Sequence, residues 1–323
     1  MFHLQYIIPR LGPVGDQGSN TPVWNSFMTD DFFPLEYSWN WDTLKSGPKV
    51  RYSIKAIGPA AVHPTDPFNQ TSMLELCDKL RTSFPQINFN WFDILRHAFH
   101  DEDSWIECEN LDCKSPSQSS SSFLAFELDN AIATKAYFVP VKAEQHDHSR
   151  FKVYRRSPEM NFGSVCQMMD LSGTINALSD STRAELRELR LLTLSLEANF
   201  SDTQELYCEN HETVGVLYNF DITAHGTTLE PKLHVPVKHY ASNDLSAAQG
   251  LGTYLPARGR DRFFSNYMRA LERTCTHRSL SEGRDFHTYV GTGIGKDGSL
   301  SLCSYINGEV YHPARYHAWE EVP

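Results

Sequence analysis

The sequence has no run of 18 apolar residues, so no membrane-spanning helix is expected. Its opening, Met1-Phe2-His3-Leu4-Gln5, lacks a basic region followed by an apolar one, and no secretory leader is expected. Seven cysteines (Cys77, Cys108, Cys113, Cys166, Cys208, Cys275 and Cys303) form no C-x-x-C pair and are odd in number. That spacing speaks against structural zinc and for a reducing, cytoplasmic setting. Positive charge is scarce: 29 Lys and Arg face 40 Asp and Glu, a net charge of −11. An acidic chain of pI about 5.7 gains nothing from long-range attraction to nucleic acid or anionic membranes. Neither is expected as a partner, and an anionic ligand would have to be held by locally gathered Lys and Arg. G-x-S-x-G, G-x-G-x-x-G and Walker A patterns are absent as well.

Metal signals are equally thin. Asp30-Asp31 lacks the second, spaced cluster of a magnesium-binding DDxxD signature and reads as a loop or cap pair. His97, His100, His146 and His148 have no carboxylate or cysteine at ligand spacing, so surface or helix-packing roles fit them better.

What is present is a long, aromatic chain. Its 323 residues are 40% hydrophobic and 12% aromatic, enough to bury a sizeable core. No boundary splits it, and residues 1–323 read as one domain; the serine-rich Ser115–Ser122 reads as a surface loop. Alternation predicts strands over Val50–Ile57, Lys135–Val141, Arg150–Tyr154, Val214–Thr223, Lys232–Tyr240, His287–Gly293 and Ser299–Ile306. Helical spacing predicts Ser72–Phe84, with Ser72 and Glu75 as a capping box and a Leu74, Cys77, Leu80, Phe84 stripe. It also predicts Thr182–Phe200, with Thr182 and Glu185 as a capping box, and Arg262–Thr274. KAYFVPVK at Lys135–Lys142 is echoed by KLHVPVK at Lys232–Lys238, a hint of a strand-and-helix unit used more than once.

The chemistry lies in the alternation. Period two puts Lys135 with Tyr137, Arg150 with Lys152 and Tyr154, and Lys232 with His234 on one face of their strands, and Arg51 joins them from the first. The intervening Ala136, Phe138, Phe151, Val153, Leu233 and Val235 are apolar. A single such strand usually has a merely solvated face. The repeated pairing of Lys or Arg with Tyr or His, in an acidic protein, points instead to a diphosphate site. Lys and Arg make charge-assisted bonds to phosphate oxygens and neutralise a departing diphosphate. Tyrosine rings stabilise an allylic cation by about 0.5–2 kcal/mol each and keep water from it.

At this point the sequence resembles the fungal aromatic prenyltransferases of the dimethylallyltryptophan synthase family. The segment Phe27-Met28-Thr29-Asp30-Asp31-Phe32-Phe33-Pro34-Leu35-Glu36-Tyr37-Ser38 is similar to the family's TDD-x-x-P-x-E-x-S segment. Lys49-Val50-Arg51-Tyr52-Ser53 resembles its arginine strand, and Ser149-Arg150-Phe151-Lys152-Val153-Tyr154 its S-R-x-K-x-Y signature. Gly215–Phe220, Pro236–Tyr240 and His287–Val290 are further landmarks in the right order. The resemblance implies an α/β fold, an antiparallel β-barrel ringed by helices and built from αββα units. It implies transfer of a dimethylallyl or longer prenyl group from its diphosphate to an aromatic acceptor, an indole above all, in secondary metabolism, with no metal or other cofactor. Carried over by position, Glu36 would accept the indole N–H, and Phe27 and Met28 would touch the acceptor through their backbone. Arg51, Lys135, Arg150, Lys152 and Lys232 would bind diphosphate, and Lys135 would also help remove the ring proton. Tyr137, Tyr154 and Tyr305 would shield the cation.

The departures carry information too. The chain starts close to the family's Leu-Gly-Pro turn, here Leu11-Gly12-Pro13, so the usual N-terminal helical portion is expected to be missing. Only the segment Phe138–Ser149 separates Tyr137 from Arg150, where the family places a helical pair and another strand. A barrel closes only when strand number and stagger agree, so the barrel is expected to be shortened or incomplete. His234 stands where a lumen tyrosine is usual, Val139 replaces another ring and Ser301 a third. A catalytically impaired remnant or binding protein is therefore the alternative reading. The sequence is silent on oligomeric state, and a homodimer is compatible with it.

Overall fold

In a computed structural model the described residues are 2–12, 26, 28–29, 31–41, 47–61, 63, 65–66, 69–99, 122–128, 132–138, 150–175, 178–207, 213–223, 229–295 and 298–317. They fall into two compact units interleaved along the chain. The first comprises Met1–Tyr37, Val50–Gln145 and Gly308–Pro323, and the second Ser38–Lys49 and His146–Asn307.

In the first unit, β2 (Lys49–Ile54), β3 (Ser122–Leu128) and β4 (Ile132–Phe138) pair antiparallel, with Arg51 opposite Glu127, Ala125 opposite Lys135 and Phe123 opposite Tyr137. β1 (Leu35–Asn40) lies next to β2 in the strand order. Alternation splits this sheet into two faces. Leu35, Tyr52, Ile54, Leu124 and Phe126 point one way, into a core shared with Met73, Leu76, Cys77 and Leu80 of α1 (Thr71–Ser83) and Phe92 of α2 (Asn90–Phe99). Each such large side chain contributes roughly 1.5–3 kcal/mol by leaving water.

The helix α1 forms where its spacing predicts, but its start differs. No capping box involves Ser72, which is buried; the Asp66 carboxylate accepts from the backbone N–H of Gln70 at 2.7 Å and of Thr71 at 3.2 Å. A carboxylate at a helix start satisfies orphan donors and complements the dipole. The strand β3 is absent from the expected elements. Ser122, placed in the serine loop, is its first residue, and the alternation of SFLAFEL was masked by the serines before it. Residues 115–121, and the expected gap at 139–149, lie outside the described residues.

The second unit is a five-stranded antiparallel meander: β5 (Arg150–Ser157), β6 (Val216–Thr223), β7 (Glu230–Val235), β8 (His287–Ile294) and β9 (Leu300–Asn307). One face, with Val216, Tyr218, Leu233, Val235, Val290, Leu300 and Leu302, is buried. The helices α3 (Phe162–Met169), α4 (Asp180–Thr193) and α6 (Asp244–Tyr254) cover it, against β7, β9 and β8 in turn. Tyr267 and Leu271 of α7 (Phe264–Thr274) are buried as their four-residue spacing requires.

Three boundaries depart from expectation. The helix α4 is capped by Ser179, whose Oγ accepts from Thr182 N–H at 3.1 Å, and ends at Thr193 rather than Phe200. Ser195 just beyond it turns left-handed at φ 56. β7 stops at Val235, because Pro236 has no N–H for the ladder, and the chain turns into the single helical turn α5 (Val237–Tyr240). β5, in contrast, runs on to Ser157, past the expected Tyr154.

Two features of this unit give direct tests. Where α6 crosses α4, a Cβ added at Gly250 would lie 2.1 Å from the carbonyl oxygen of Leu192. The Gly250→Ala variant is expected to lose about 1–3 kcal/mol or more, read as a lower urea midpoint, since backbone must move to admit a methyl. Behind the sheet, His287 shares a buried polar cluster with Ser304 Oγ at 2.7 Å and Tyr267 OH, which lies 2.6 Å from the same Oγ. Full burial pushes the imidazole down to about 4. The unfolded chain, with a histidine near 6.5, then binds more protons between those values, so stability falls as pH drops from about 6.5 to 4. The loss at His287 is expected to approach roughly 3 kcal/mol, and urea titrations of His287→Gln at pH 7 and 4.5 should show a shallower pH slope than the natural chain.

Candidate functional site

Each unit presents its second sheet face away from its core. In the first, Leu35 and Tyr37 pack toward the core, so alternation turns Glu36 to the other side. The register puts Arg51, Glu127, Ala125, Lys135, Phe123 and Tyr137 on that same side. Here Lys135 is exposed and Tyr137 half-buried, its ring stacked on Phe123 with centroids 4.4 Å apart and planes at 3°. Arg51 is held by Glu127, Nε to Oε2 at 2.6 Å. That bond uses one of five guanidinium donors and fixes the fork against the sheet. Glu127 is a residue that sequence reading missed, for the same reason that it missed β3. Lys55, one step past β2, is buried, and desolvation pushes its ammonium down to about 8.

In the loop before β1, Asp31 acts locally. Asp31 Oδ1 accepts from Thr29 Oγ1 at 2.6 Å and from Phe33 N–H at 3.2 Å, closing a local turn. Met28 donates its N–H to Ser26 Oγ at 3.1 Å. Phe27 and Asp30 lie outside the described residues.

In the second unit the face opposite the helices is built from five strands at once. Register places Tyr154, Asn219, Lys232, Gly293 and Ser301 in one row across β5 to β9. The next row, toward the other end of β7, holds Arg156, Leu217, His234, Gly291 and Cys303. In the Cα register Lys152 falls opposite Asp221 and Arg150 opposite Thr223. Tyr289 and Tyr305 face each other at the bulged start of β8. Of the residues expected to share a site, Tyr154, Lys232 and Tyr305 fall on one face of this sheet by register, and the side chains of Arg150 and Lys152 lie outside the described residues.

The packing on this face is close. The His234 ring lies 5.4 Å from that of Tyr305 and 6.3 Å from that of Tyr289, in tilted and edge-on contacts. Its Nε2 is 3.0 Å from Asn219 Oδ1. Lys238 Nζ sits 4.9 Å above the Tyr289 ring, and Arg156 Nη2 donates to the Tyr289 hydroxyl at 3.3 Å. The glycines of β8 make room for this. A Cβ at Gly291 would meet Tyr305 Cε2 at 2.9 Å and His234 Nδ1 at 3.1 Å, and one at Gly293 would meet Lys232 Cγ at 3.0 Å. Glycine there lets the β7 and β9 side chains lean over β8.

Arg156, Lys238 and Tyr289 were not among the expected site residues. Arg156 continues the period-two series of Arg150, Lys152 and Tyr154, and following that series one step further would have found it. Lys238 reaches the Tyr289 ring from a helical turn where a strand was expected. Chemically, this face offers cations for an anionic leaving group and rings for an electron-poor carbon on one continuous surface. Tyr154 is half exposed, whereas Lys232 and His234 are partly covered.

The sequence profile described as tryptophan dimethylallyltransferase matches residues 1–147 and 143–270. Among curated relatives, the prenyltransferase anuH of Penicillium roqueforti is 26% identical, with 98% of this chain and 84% of that protein covered. The 4-O-dimethylallyl-L-tyrosine synthase of Claviceps purpurea is 28% identical over 98% of this chain and 83% of its own length. The 7-dimethylallyltryptophan synthase hasE of Aspergillus fumigatus is 26% identical over 96% and 79%. Among solved structures, AnaPT from Neosartorya fischeri superposes with a TM-score of 0.71 at 18% identity, covering 95% of this chain and 86% of that one. NotF in complex with brevianamide F and DMSPP superposes at 0.72 and 17%, covering 95% and 86%. At these identities the structural likeness speaks for the fold, and the fold is the one expected from the sequence.

Proposed function

The chain belongs to the tryptophan dimethylallyltransferase family, and on that premise we propose that it is an aromatic prenyltransferase, an alkyl transferase acting on groups other than methyl. It moves a dimethylallyl or longer prenyl group from its diphosphate to an aromatic acceptor of secondary metabolism. The observation that carries this is the β5–β9 face, where Lys232, His234, Tyr289 and Tyr305 stand together on the side that the helices leave uncovered.

Ionisation of the allylic carbon–oxygen bond leaves a cation and a diphosphate. Lys232 neutralises the diphosphate as it departs, the role that the resemblance also gives Arg51, Lys135, Arg150 and Lys152. Tyr154 and Tyr305 present ring faces to the cation, the role that the resemblance also gives Tyr137. The acceptor carbon attacks, and the resulting arenium loses its proton to an oxygen of the departed diphosphate, with Lys135 helping to relay it. Glu36 accepts a hydrogen bond from the acceptor N–H or O–H and raises the ring's nucleophilicity, while the backbone at Phe27 and Met28 borders the acceptor. Lys and Arg take the place that magnesium has in DDxxD enzymes, so the transfer needs no metal. An indole is the acceptor class we favour, because the matching family is described by tryptophan dimethylallyl transfer.

Two relatives whose names specify tyrosine and tryptophan as acceptors support an aromatic substrate. No helix among the described residues is long and apolar enough to cross a membrane, which fits a cytoplasmic enzyme acting on small molecules. The profile matches in two pieces meeting at residues 143–147, inside the shortened segment 138–149, which supports a family member with an internal deletion. A non-catalytic remnant is the weaker reading, because every strand expected to carry the site is formed.

Incubating the purified chain with dimethylallyl diphosphate and a panel of indoles and phenols, with and without EDTA, should give a mass-shifted product unaffected by chelation. No product from any acceptor would refute the enzyme, and loss of product with EDTA would refute the metal-free mechanism. Glu36→Gln is expected to cut indole prenylation by about 10²-fold or more while leaving pyrophosphate binding intact; unchanged turnover would remove its role.

A further inference from the structure

We propose that Asn219 is a further diphosphate-binding residue, oriented by His234 and donating through its Nδ2 to a phosphate oxygen beside Lys232. This rests on the prenyl-transfer reading and names a ligand that neither alternation nor charge would pick out.

Asn219 is on β6 and is 2% exposed, yet its side chain is not on the core face: Tyr218 and Phe220, its neighbours along the strand, turn to the helices. It stands in register between Tyr154 on β5 and Lys232 on β7. Its Oδ1 accepts from His234 Nε2 at 3.0 Å. Its Nδ2 has no hydrogen-bond partner among the described residues. A buried donor left unmatched costs about 1–3 kcal/mol, and such groups in a folded protein call for a reason.

The surroundings say what would match it. Lys232 stands directly opposite it on β7 and Tyr154 on β5, and one row along lie His234, Tyr289 and Tyr305. Asn219 is thus flanked by a lysine and next to the aromatic cluster of the face. An indole ring offers its π face there and no lone pair to an amide, whereas a diphosphate oxygen can accept from Lys232 and from Asn219 together. The side chain type agrees. Aspartate at this position would repel the anion, and leucine would supply no donor, whereas the amide adds a fixed donor without further charge. His234 holds the amide by its oxygen and so directs the NH₂ group away from itself.

The inference separates a ligand-binding residue from a structural one. The full chain is titrated calorimetrically with inorganic pyrophosphate, and melting is followed without it. Asn219→Leu is expected to weaken pyrophosphate binding about tenfold or more, and Asn219→Asp further, while the ligand-free Asn219→Leu protein melts no lower than the natural chain. Lys232→Ala is the control and is expected to weaken binding as well. Asn219→Leu binding pyrophosphate as tightly as the natural chain, with Lys232→Ala impaired, would overturn the role of Asn219 alone. A large loss of melting temperature or of folding in Asn219→Leu would mark a structural residue and overturn it too. Failure of the natural chain to bind pyrophosphate would remove the diphosphate reading itself.

Discussion

A β-strand has two sides, and everything distinctive here follows from how β5–β9 divide theirs. One side is buried under α3, α4 and α6 and holds Val216, Tyr218, Leu233, Val235 and Val290. That burial fixes the register, because a slip of one residue would push Leu233 out and Lys232 in. With the register fixed, the other side has no freedom either: the same hydrogen-bond ladder that buries the apolar row sets Lys232, Asn219, His234, Tyr289 and Tyr305 on one face, with the His234 ring against Asn219, Tyr289 and Tyr305.

The same division runs through the first unit. Tyr52, Ile54, Leu124 and Phe126 are buried on α1, and their alternates Arg51, Lys135 and Tyr137 occupy the far side. Arg51 shows how a cation is kept oriented before an anion arrives: Glu127, 2.6 Å away, draws one edge of the guanidinium and leaves the fork's geometry defined. In the second unit the corresponding device is aromatic, with Lys238 over the Tyr289 ring and Arg156 on its hydroxyl.

Much of this was legible in the sequence, and what was not has identifiable causes. Alternation in VRYSI and KLHV revealed which residues share a face, since period two needs no tertiary information. The strand β3 escaped because its alternation begins inside a serine run, and Glu127 escaped with it. Capping positions were misassigned at α1 and α4 because Ser72 and Thr182 compete with Asp66 and Ser179, and only the chain path decides which oxygen reaches the first free N–H groups. The end of β7 was misplaced because composition extends the strand past Pro236, which has no N–H for the ladder. Asn219 had no signal at all: a lone amide amid Tyr and Phe looks like an ordinary strand residue until its donor is seen to be buried without a partner.

The central claim is that a diphosphate sits on the uncovered face of β5–β9, and a crystal structure with a non-ionising thiolodiphosphate analogue of dimethylallyl diphosphate tests it most directly. The account predicts phosphate density within hydrogen-bonding distance of Lys232, with the prenyl chain over Tyr305. Density on the helix-covered side, or a bound analogue with Lys232 turned away from it, would contradict the account.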